Sequence, residues 1–260
     1  EPIILNKSAI VKPYEEKTYQ EGNVYCRYNA NAVDDFSPEM LNSQYWQNKN
    51  AITGSAQGRG TTWFVQYDSV NSTYKSNQQW VLRHYFRGGL IGKMINDKYI
   101  FTGQEKTRAA QEYTLLNILQ SLALPAPKPI AFRVTKKGPF YQADLLSSRI
   151  ENAQDLVAIL SKEELAEDVW REVGKVIRRF HDAGIYHHDL NIHNILLDDN
   201  NNVWLIDFDR GDQRAVSSAW QQANISRLLR SFEKEKNKLP AFHWTKDHWN
   251  MLLEGYLLVS

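Results

Sequence analysis

The sequence predicts an α+β protein with two unequal lobes, a small one rich in β-strands and a larger one that is mainly helical. Segments rich in β-branched and aromatic residues crowd the first 145 residues, whereas apolar residues at helical spacing dominate the rest. The chain has 260 residues, more than one average domain and less than two. We therefore expect a single folded unit over residues 1–260, divided into lobes at 1–144 and 145–260.

The first lobe contains three segments with strand composition, residues 24–28, 61–67 and 80–85, and a short predicted helix within 38–46. An amphipathic helix follows over 105–122, where apolar residues recur every three or four positions. Prolines at 125 and 127 prevent its continuation.

A β-hairpin is predicted next, with arms at 129–134 and 138–143. Residues 144–148 are predicted to form the connection to the second lobe.

The second lobe begins with an apolar stripe formed by Val169, Val173 and Phe180, which predicts a helix that ends at Gly184. Two short apolar runs, 194–197 and 203–208, flank an Asp/Asn-rich turn and indicate a second hairpin. The tail, 217–258, is predicted to be helical with a basic loop.

Composition excludes several classes of protein. The formal net charge is +1, which argues against a polycation held to nucleic acid by overall charge, and we expect no nucleic-acid partner. Cys26 is the only cysteine, so no intrachain disulfide or multi-cysteine metal site forms. A free thiol is typical of a reducing compartment, and we expect a cytoplasmic protein. No apolar run approaches the roughly 18 residues of a membrane helix.

Three polar residues stand out between the apolar runs of the second hairpin region. Asn194 follows Asp189 by five positions, and Asp207 follows it by eighteen. The hairpin returns the chain so that all three side chains converge. Oxygen ligands of this kind suit Mg²⁺ completed by substrate phosphates, while a separate carboxylate orients a hydroxyl. The alternative is that the two aspartates only cap turns.

This stretch resembles the protein-kinase signature H-R-D-x-x-x-x-N followed by D-F-G. The chain has HHDLNIHN at 187–194 and DFD at 207–209. The resemblance implies a catalytic base at Asp189 and Mg²⁺ ligands at Asn194 and Asp207.

The histidines of this stretch carry different expectations. We expect His187 to hold the loop backbone. His188 stands where protein kinases have arginine, and its role stays open. For His193 we favour loop support over metal ligation.

The resemblance also implies a glycine-rich phosphate loop, a strand cation and a helix carboxylate in the first lobe. Gly58 and Gly60 precede the strand at 61–67, although a plain flexible loop is the alternative. Arg83 replaces the expected lysine as the ATP phosphate ligand, and Glu112 is its natural partner on the helix. A surface arginine and a solvated glutamate are the alternatives.

Further short sequence segments indicate a narrower family. Only residues 209–216 separate DFD from the next helical stretch, and no A-P-E follows, so a peptide acceptor is not expected. The chain resembles the bacterial lipopolysaccharide core kinases over roughly residues 55–235. The segments that carry the resemblance are WFV (63–65), LRHYFRGG (82–89), LPAPKP (124–129), ADLLSSRI (143–150) and HDLNIHNIL (188–196).

This family resemblance implies an ATP- and Mg²⁺-dependent sugar kinase of lipopolysaccharide inner-core biosynthesis. The implied acceptor is 3-deoxy-D-manno-octulosonic acid (Kdo) attached to a lipid A precursor, at its 4-hydroxyl. Arg210 and Asn191 are candidate acceptor contacts, and Ala143 and Leu145 are expected beside the adenine.

An anionic glycolipid acceptor favours a basic surface at the cytoplasmic face of the inner membrane. Residues 83–108 and 214–250 each carry a net charge of +4. Phe242, Trp244 and Trp249 are candidates for a membrane interface. An ordinary solvated surface with core aromatics is the alternative.

Two other functions stay open at this point. One is a small-molecule kinase of the aminoglycoside or choline kinase type, which also uses an H-x-D loop. The other is a nucleotide-binding pseudokinase scaffold, which is expected to lack the base or the metal ligands, whereas this chain retains all three.

Overall fold

The computed structural model describes residues 15–58, 60–69, 77–86 and 98–258. Within them the chain forms a mixed α and β fold, with most strands before residue 149 and most helical residues after residue 155. Arg59, Gly88, Gly89 and the basic residues of 87–97 belong to the sequence predictions but lie outside the described residues.

Eight of the strands in the described residues end before residue 149, and the rest lie among the later helices. The strands are β1 (Glu16–Glu21), β2 (Val24–Asn29), β3 (Ile52–Gln57), β4 (Thr61–Tyr67), β5 (Gln78–His84), β6 (Tyr99–Ile100), β7 (Pro129–Lys137), β8 (Phe140–Ser148), β9 (Ala153–Asp155), β10 (Ile185–Tyr186), β11 (Ile195–Asp198), β12 (Val203–Leu205) and β13 (Asp212–Gln213).

The two longest helices among the described residues lie in the second half of the chain. The helices are α1 (Ser43–Asn48), α2 (Arg108–Ser121), α3 (Leu156–Leu160), α4 (Glu167–Asp182), α5 (Ser218–Lys238) and α6 (Lys246–Leu257), with 3₁₀ turns at Pro38–Leu41, Gln104–Lys106 and Ile192–Asn194.

An eight-stranded sheet contains the first eight strands. Its order is β1-β2-β7-β8-β5-β4-β3, with β6 pairing to β8, and every pairing among these described strands is antiparallel. Adjacent pairing brings Arg83 on β5 opposite Leu145 on β8. The predicted strands 24–28, 61–67 and 80–85, both hairpins, and the helix ending near Gly184 are confirmed.

The predicted connection at 144–148 is wrong. Strand β8 continues through Ser148, because its residues keep pairing with β5 and β7 to the end. The chain therefore leaves the sheet four residues after the predicted lobe boundary at 144, and the exit falls at Arg149 and Ile150.

A continuous hydrophobic core joins the sheet to the helices. It includes Tyr113 and Leu116 of α2, Phe132 of β7, and Trp170 and Phe180 of α4. Helices α4 and α6 cross closely, since a Cβ on Gly174 would lie 1.9 Å from the carbonyl oxygen of Leu252. The helical part therefore packs against the sheet and the hairpin β11–β12 through one hydrophobic core.

The expectation of a membrane-facing aromatic tail is wrong. Phe242, Trp244 and Trp249 are only 5%, 6% and 3% exposed. The ring of Trp244 stacks on Phe232 of α5 with centroids 5.3 Å apart. These rings belong to the core, because α6 folds back against α4 and α5 and covers them.

Two further observations concern the thiol and the membrane. Cys26 is a buried free cysteine, and burial raises the pKa of its thiol to about 12. Among the described residues, none of the helices combines the length and the apolar character needed to span a bilayer.

Candidate active site

Arg83 is the centre of the candidate site. Its Nη1 atom donates to Oδ1 of Asp207 at 2.6 Å, and its Nη2 atom donates to Oε2 of Glu112. The hydroxyl of Tyr85 also donates to Oε2 of Glu112, at 2.5 Å. The predicted pairing of Arg83 with Glu112 is therefore present, and it extends to Asp207.

Burial controls the protonation of this cluster. Glu112 is 3% exposed, and desolvation raises the pKa of its carboxyl although Arg83 opposes the shift. Desolvation alone would lower the pKa of Arg83, but the carboxylates of Glu112 and Asp207 raise it well above its usual range. The guanidinium thus stays charged, and it is directed toward the cavity by a fixed helix carboxylate.

The loop that carries Asp189 is anchored by His187. Its Nε2 atom lies 2.9 Å from the carbonyl oxygen of Ile206, and its Nδ1 atom accepts from the Asp189 amide at 3.2 Å. This pattern assigns the neutral tautomer with hydrogen on Nε2. Burial lowers the pKa of His187, which is consistent with a neutral ring. His187 therefore holds the loop backbone, as predicted.

Asn194 connects the loop to the hairpin. Its Nδ2 atom donates to the carbonyl oxygen of Asp189 at 2.9 Å, and its own carbonyl oxygen accepts from the amide of Ile206 at 3.0 Å. Because the amide nitrogen is held by the Asp189 carbonyl oxygen, the Oδ1 atom is the acceptor that remains on this side chain.

Asn191 acts within the same loop. Its Oδ1 atom accepts from the amide of His193 at 2.9 Å, and its Nδ2 atom donates to the carbonyl oxygen of Asp189 at 3.1 Å. Both ends of the side chain thus support the backbone of the loop. Its predicted contact with the acceptor stays a prediction.

The segment after β12 presents Asp207 in an unusual backbone conformation. Its φ is +61°, in the left-handed region that aspartate tolerates better than most residues. The next side chain, Phe208, is fully buried and packs on the ring of His187. Inserting Phe208 into the core therefore turns the Asp207 carboxylate toward Arg83.

A cavity of about 490 Å³ lies beside this cluster. Its lining is largely apolar, and it also includes the polar side chains of Arg83, Asn194 and Asp207. The apolar lining includes Val81, Leu116, Leu145, Leu196 and Ile206.

The structure separates the two predicted adenine contacts. Leu145 lines the cavity, whereas Ala143 is fully buried and its carbonyl oxygen accepts from the amide of Tyr85 at 3.0 Å. The assignment of Ala143 is therefore wrong, because β8 runs further than predicted. The cavity wall is formed instead by Ser147 and Ile150, where the strand ends.

A smaller cavity of about 200 Å³ shares Arg83 and Asp207 with the larger one. Gly58 and Gly60 line it, and their part in binding phosphates stays a prediction. A Cβ on Gly60 would lie 2.0 Å from the ring of Phe86, so the backbone of this loop approaches that ring as only glycine allows.

Asp189 is paired with a residue that the sequence analysis did not single out. Its Oδ1 atom lies 3.2 Å from Nη1 of Arg227 on α5, and both side chains are nearly half exposed. Arg210 is exposed, with a φ of +61°. Desolvation, Arg210 and Arg227, in that order, lower the pKa of His188, so these cations lie close to the loop.

The donor set fits Mg²⁺ better than a metal that prefers nitrogen or sulfur. Within the described residues there is no group of three His, Cys, Asp or Glu side chains arranged to hold a metal ion. One carboxylate, on Asp207, and one side-chain amide, on Asn194, line the cavity. Such a pair suits an ion that completes its shell with water and phosphate oxygens.

The residues missed from the sequence are Tyr85, Arg108 and Arg227. Arg108 at the start of α2 forms an ion pair with Asp209, and its Nη1 atom donates to the hydroxyl of Tyr99 at 2.7 Å. Helix starts usually carry acidic residues, so a cation there was the available signal. Arg227 lies in a helix with several basic residues, and nothing in its spacing distinguishes it.

Comparison with known proteins agrees with this geometry. The model of the lipopolysaccharide kinase (Kdo/WaaP) family matches residues 43–256. The chain is 46% identical to a 3-deoxy-D-manno-octulosonic acid kinase of Vibrio parahaemolyticus over 237 residues, which cover 91% of this chain and 95% of that protein.

Two more proteins of the same name come from other species. The Vibrio cholerae protein is 47% identical over 94% of this chain and 97% of its own length. The Haemophilus influenzae protein is 41% identical over 92% of this chain and 98% of its own length. Because the family match covers well over half of the sequence, the chain belongs to the lipopolysaccharide kinase (Kdo/WaaP) family.

Proposed function

We propose that this chain transfers the γ-phosphoryl group of ATP to a hydroxyl of Kdo attached to a lipid A precursor, specifically the 4-hydroxyl. The observation that carries the proposal is the ion pair of Arg83 with Asp207 at a largely apolar cavity that Asn194 also lines. Asn194 in turn holds the loop of Asp189. The names of the relatives supply the acceptor class.

Each residue has a defined part in the proposed reaction. Arg83 grips the ATP phosphates bidentately, and Glu112 orients it. The amides near Gly58 and Gly60 lie along the phosphates, while Leu145 packs on the adenine. Asn194 and Asp207 would hold Mg²⁺, and the ion would supply charge neutralisation at the phosphate oxygens. The Asp189 carboxylate accepts the proton of the attacking hydroxyl.

The ion pair with Arg227 affects how Asp189 can act as the proposed base. Nη1 of Arg227 occupies Oδ1 of Asp189, the atom type that must receive the proton of the attacking hydroxyl. We propose that the incoming acceptor takes Arg227 away from Asp189, with Arg210 as a further contact. The base then becomes fully available when the hydroxyl is in place.

The fold proposal follows from the same site. We propose one catalytic unit with the two-lobe arrangement of protein kinases, in which the eight-stranded sheet and the helical part enclose ATP between them. The ion pairs of Arg83 with Asp207 and of Arg108 with Asp209 join the two parts. We further propose that the protein works at the cytoplasmic face of the inner membrane, on an anionic surface.

Transfer of radiolabelled phosphate from ATP to purified Kdo–lipid A precursor tests the function. We expect label on the Kdo residue, and mapping of the labelled position tests the 4-hydroxyl. Label on soluble sugars or aminoglycosides, with none on the glycolipid, would indicate a small-molecule kinase. Binding of Mg–ATP in a thermal-shift titration without transfer to any acceptor would indicate a pseudokinase.

A further inference from the structure

Helix α5 lies alongside the loop that carries Asp189. Polar side chains about one turn apart on the helix, from Asn224 to Glu235, contact residues of the loop in order along the chain. The pairs are Asn224 Oδ1 with the amide of His187 at 3.3 Å, Arg227 Nη1 with Asp189 Oδ1 at 3.2 Å, Ser231 Oγ with the amide of Ile192 at 3.2 Å, and Glu235 Oε1 with His193 Nε2 at 3.4 Å.

A basic stripe runs next to this line of contacts. Arg227, Arg230, Lys234 and Lys238 are all exposed. At 3.6 residues per turn they fall within an arc of about 80°, and they span about 16 Å along the helix axis. We call these four residues the α5 stripe.

The stripe is not balanced by carboxylates of its own helix. Glu233 follows Arg230 by three positions but forms no ion pair with it among the described residues, and Glu235 is 3% exposed and directed to His193. Lys238 Nζ is 4.0 Å from a Glu235 oxygen, at the limit of an ion pair. Within the described residues, Arg230 and Lys234 form no ion pair.

The stripe begins at the catalytic base. Arg227 contacts Asp189, so a substrate whose hydroxyl lies at Asp189 must pass the helix that carries the other three cations. Exposed like charges repel one another, and a stripe in which Arg230 and Lys234 have no ion-pair partner among the described residues is compensated when an anionic ligand binds. Phosphate groups suit arginine and lysine, and the proposed acceptor is an anionic glycolipid.

Resting on the function proposed above, we infer that the α5 stripe binds phosphate groups on the lipid-linked part of the acceptor, while Arg227 contacts the acceptor nearest its reacting hydroxyl. The ligand is the acceptor itself rather than the bilayer. The stripe flanks the loop of Asp189 within one helix length, where covalently attached parts of the acceptor must lie.

The test uses the full-length protein and a triple variant, Arg230→Gln/Lys234→Gln/Lys238→Gln. Transfer is measured in neutral detergent micelles to the Kdo–lipid A precursor, and to the same glycolipid after its phosphates have been removed enzymatically. We expect the KM for the phosphorylated acceptor to rise at least about tenfold, because each cation contributes to binding the anion. The KM for the dephosphorylated acceptor is expected to change less than about twofold.

A matched control removes three exposed lysines elsewhere, Lys128→Gln/Lys162→Gln/Lys175→Gln. It lowers the net charge equally and is expected to keep the wild-type KM. An equal rise in the control, or an equal rise for both acceptors in the stripe variant, would overturn the inference.

A second experiment with vesicles distinguishes binding to the bilayer from binding to the acceptor. The same variants are sedimented with phosphatidylglycerol vesicles that contain no acceptor. Loss of sedimentation with an unchanged micellar KM would assign the stripe to the membrane and overturn the inference. If the wild-type protein labels no Kdo glycolipid at all, the proposed function itself fails.

Discussion

The Nη1 atom of Arg83 lies 2.6 Å from Oδ1 of Asp207, a residue 124 positions later in the chain. Through Nη2, the same guanidinium reaches Glu112 on α2. One planar group therefore joins a strand, a helix and the segment that presents the proposed metal ligand. A lysine ammonium is a point charge without this forked geometry, which explains how arginine serves at this position.

The first prediction concerns this bridge. Arg83→Met is expected to destabilise the protein by about 3–5 kcal/mol, because it leaves Glu112 buried without its cation. The double variant Arg83→Met/Glu112→Leu is expected to cost less than Arg83→Met alone. Denaturant unfolding of the wild type, both single variants and the double variant measures the coupling. Strictly additive losses would show that the pair is not a unit.

Loss of Asp189 is expected to affect catalysis and not nucleotide binding. Asp189→Ala removes the proton acceptor, so turnover is expected to fall by at least ~10², while the affinity for Mg–ATP stays within about twofold. Steady-state transfer and a thermal-shift titration with Mg–ATP provide the two readouts. Asp199→Ala, in the exposed turn of the second hairpin, is the matched control. Wild-type turnover in Asp189→Ala would refute the assignment of the base.

The two glycines of the loop before β4 are expected to respond differently. A Cβ on Gly60 would meet the Phe86 ring at 2.0 Å, whereas a Cβ on Gly58 would meet only a carbonyl oxygen at 3.8 Å. Gly60→Ala is expected to raise the KM for ATP about tenfold or more, because the loop or the Phe86 ring must shift by about 1 Å or more. Gly58→Ala is the control.

Shortening the opposing side chain provides a rescue experiment for the same loop. Gly60→Ala/Phe86→Ala is expected to recover much of the affinity for ATP, because the clash is removed. An unimproved double variant would mean that Gly60 acts through something other than this contact.

Acid pH is expected to destabilise the fold through His181. Burial lowers the pKa of this histidine from 6.5 to about 4, and its Nδ1 atom lies 2.7 Å from the hydroxyl of Tyr256. Between these two pKa values the unfolded chain binds a proton that the folded protein does not. The free energy of unfolding therefore falls as the pH falls through this window, by about 2 kcal/mol from pH 7.5 to 5.0.

His181→Gln removes this titration. Its free energy of unfolding is expected to change less between pH 7.5 and 5.0 than that of the wild type, with the remaining change arising partly from the buried His187. Urea unfolding at both values measures the difference. An identical change in both proteins would exclude His181 as a source of acid lability.

Much of the fold could be predicted because its signals are local. The strand at Thr61–Tyr67 was predicted with its observed bounds, and the amphipathic helix α4 ends at Asp182, two residues before Gly184, whose φ is +75°. The end of β8 was not predictable in this way. Ser147 and Ser148 have no strong strand preference and stay in the sheet because β5 and β7 flank them.

The aromatic tail is a second segment whose environment the sequence alone does not decide. Phe242, Trp244 and Trp249 have the composition of a membrane interface and equally that of a core. Only the packing of α6 against α4 and α5 selects between the two. That packing depends on the close approach at Gly174 and Gly255, which no local pattern reveals.

The sequence by itself determined the chemistry of this protein. Asp189, Asn194 and Asp207 at their spacings, with Arg83 and Glu112 upstream, predicted phosphoryl transfer and the family. The tertiary structure alone decided that Arg83 also reaches Asp207, that Arg227 pairs with Asp189, and that α5 follows the loop with a basic stripe. Residue type and spacing specify what a side chain can do, but contacts between distant segments form only when burial of the core brings those segments together.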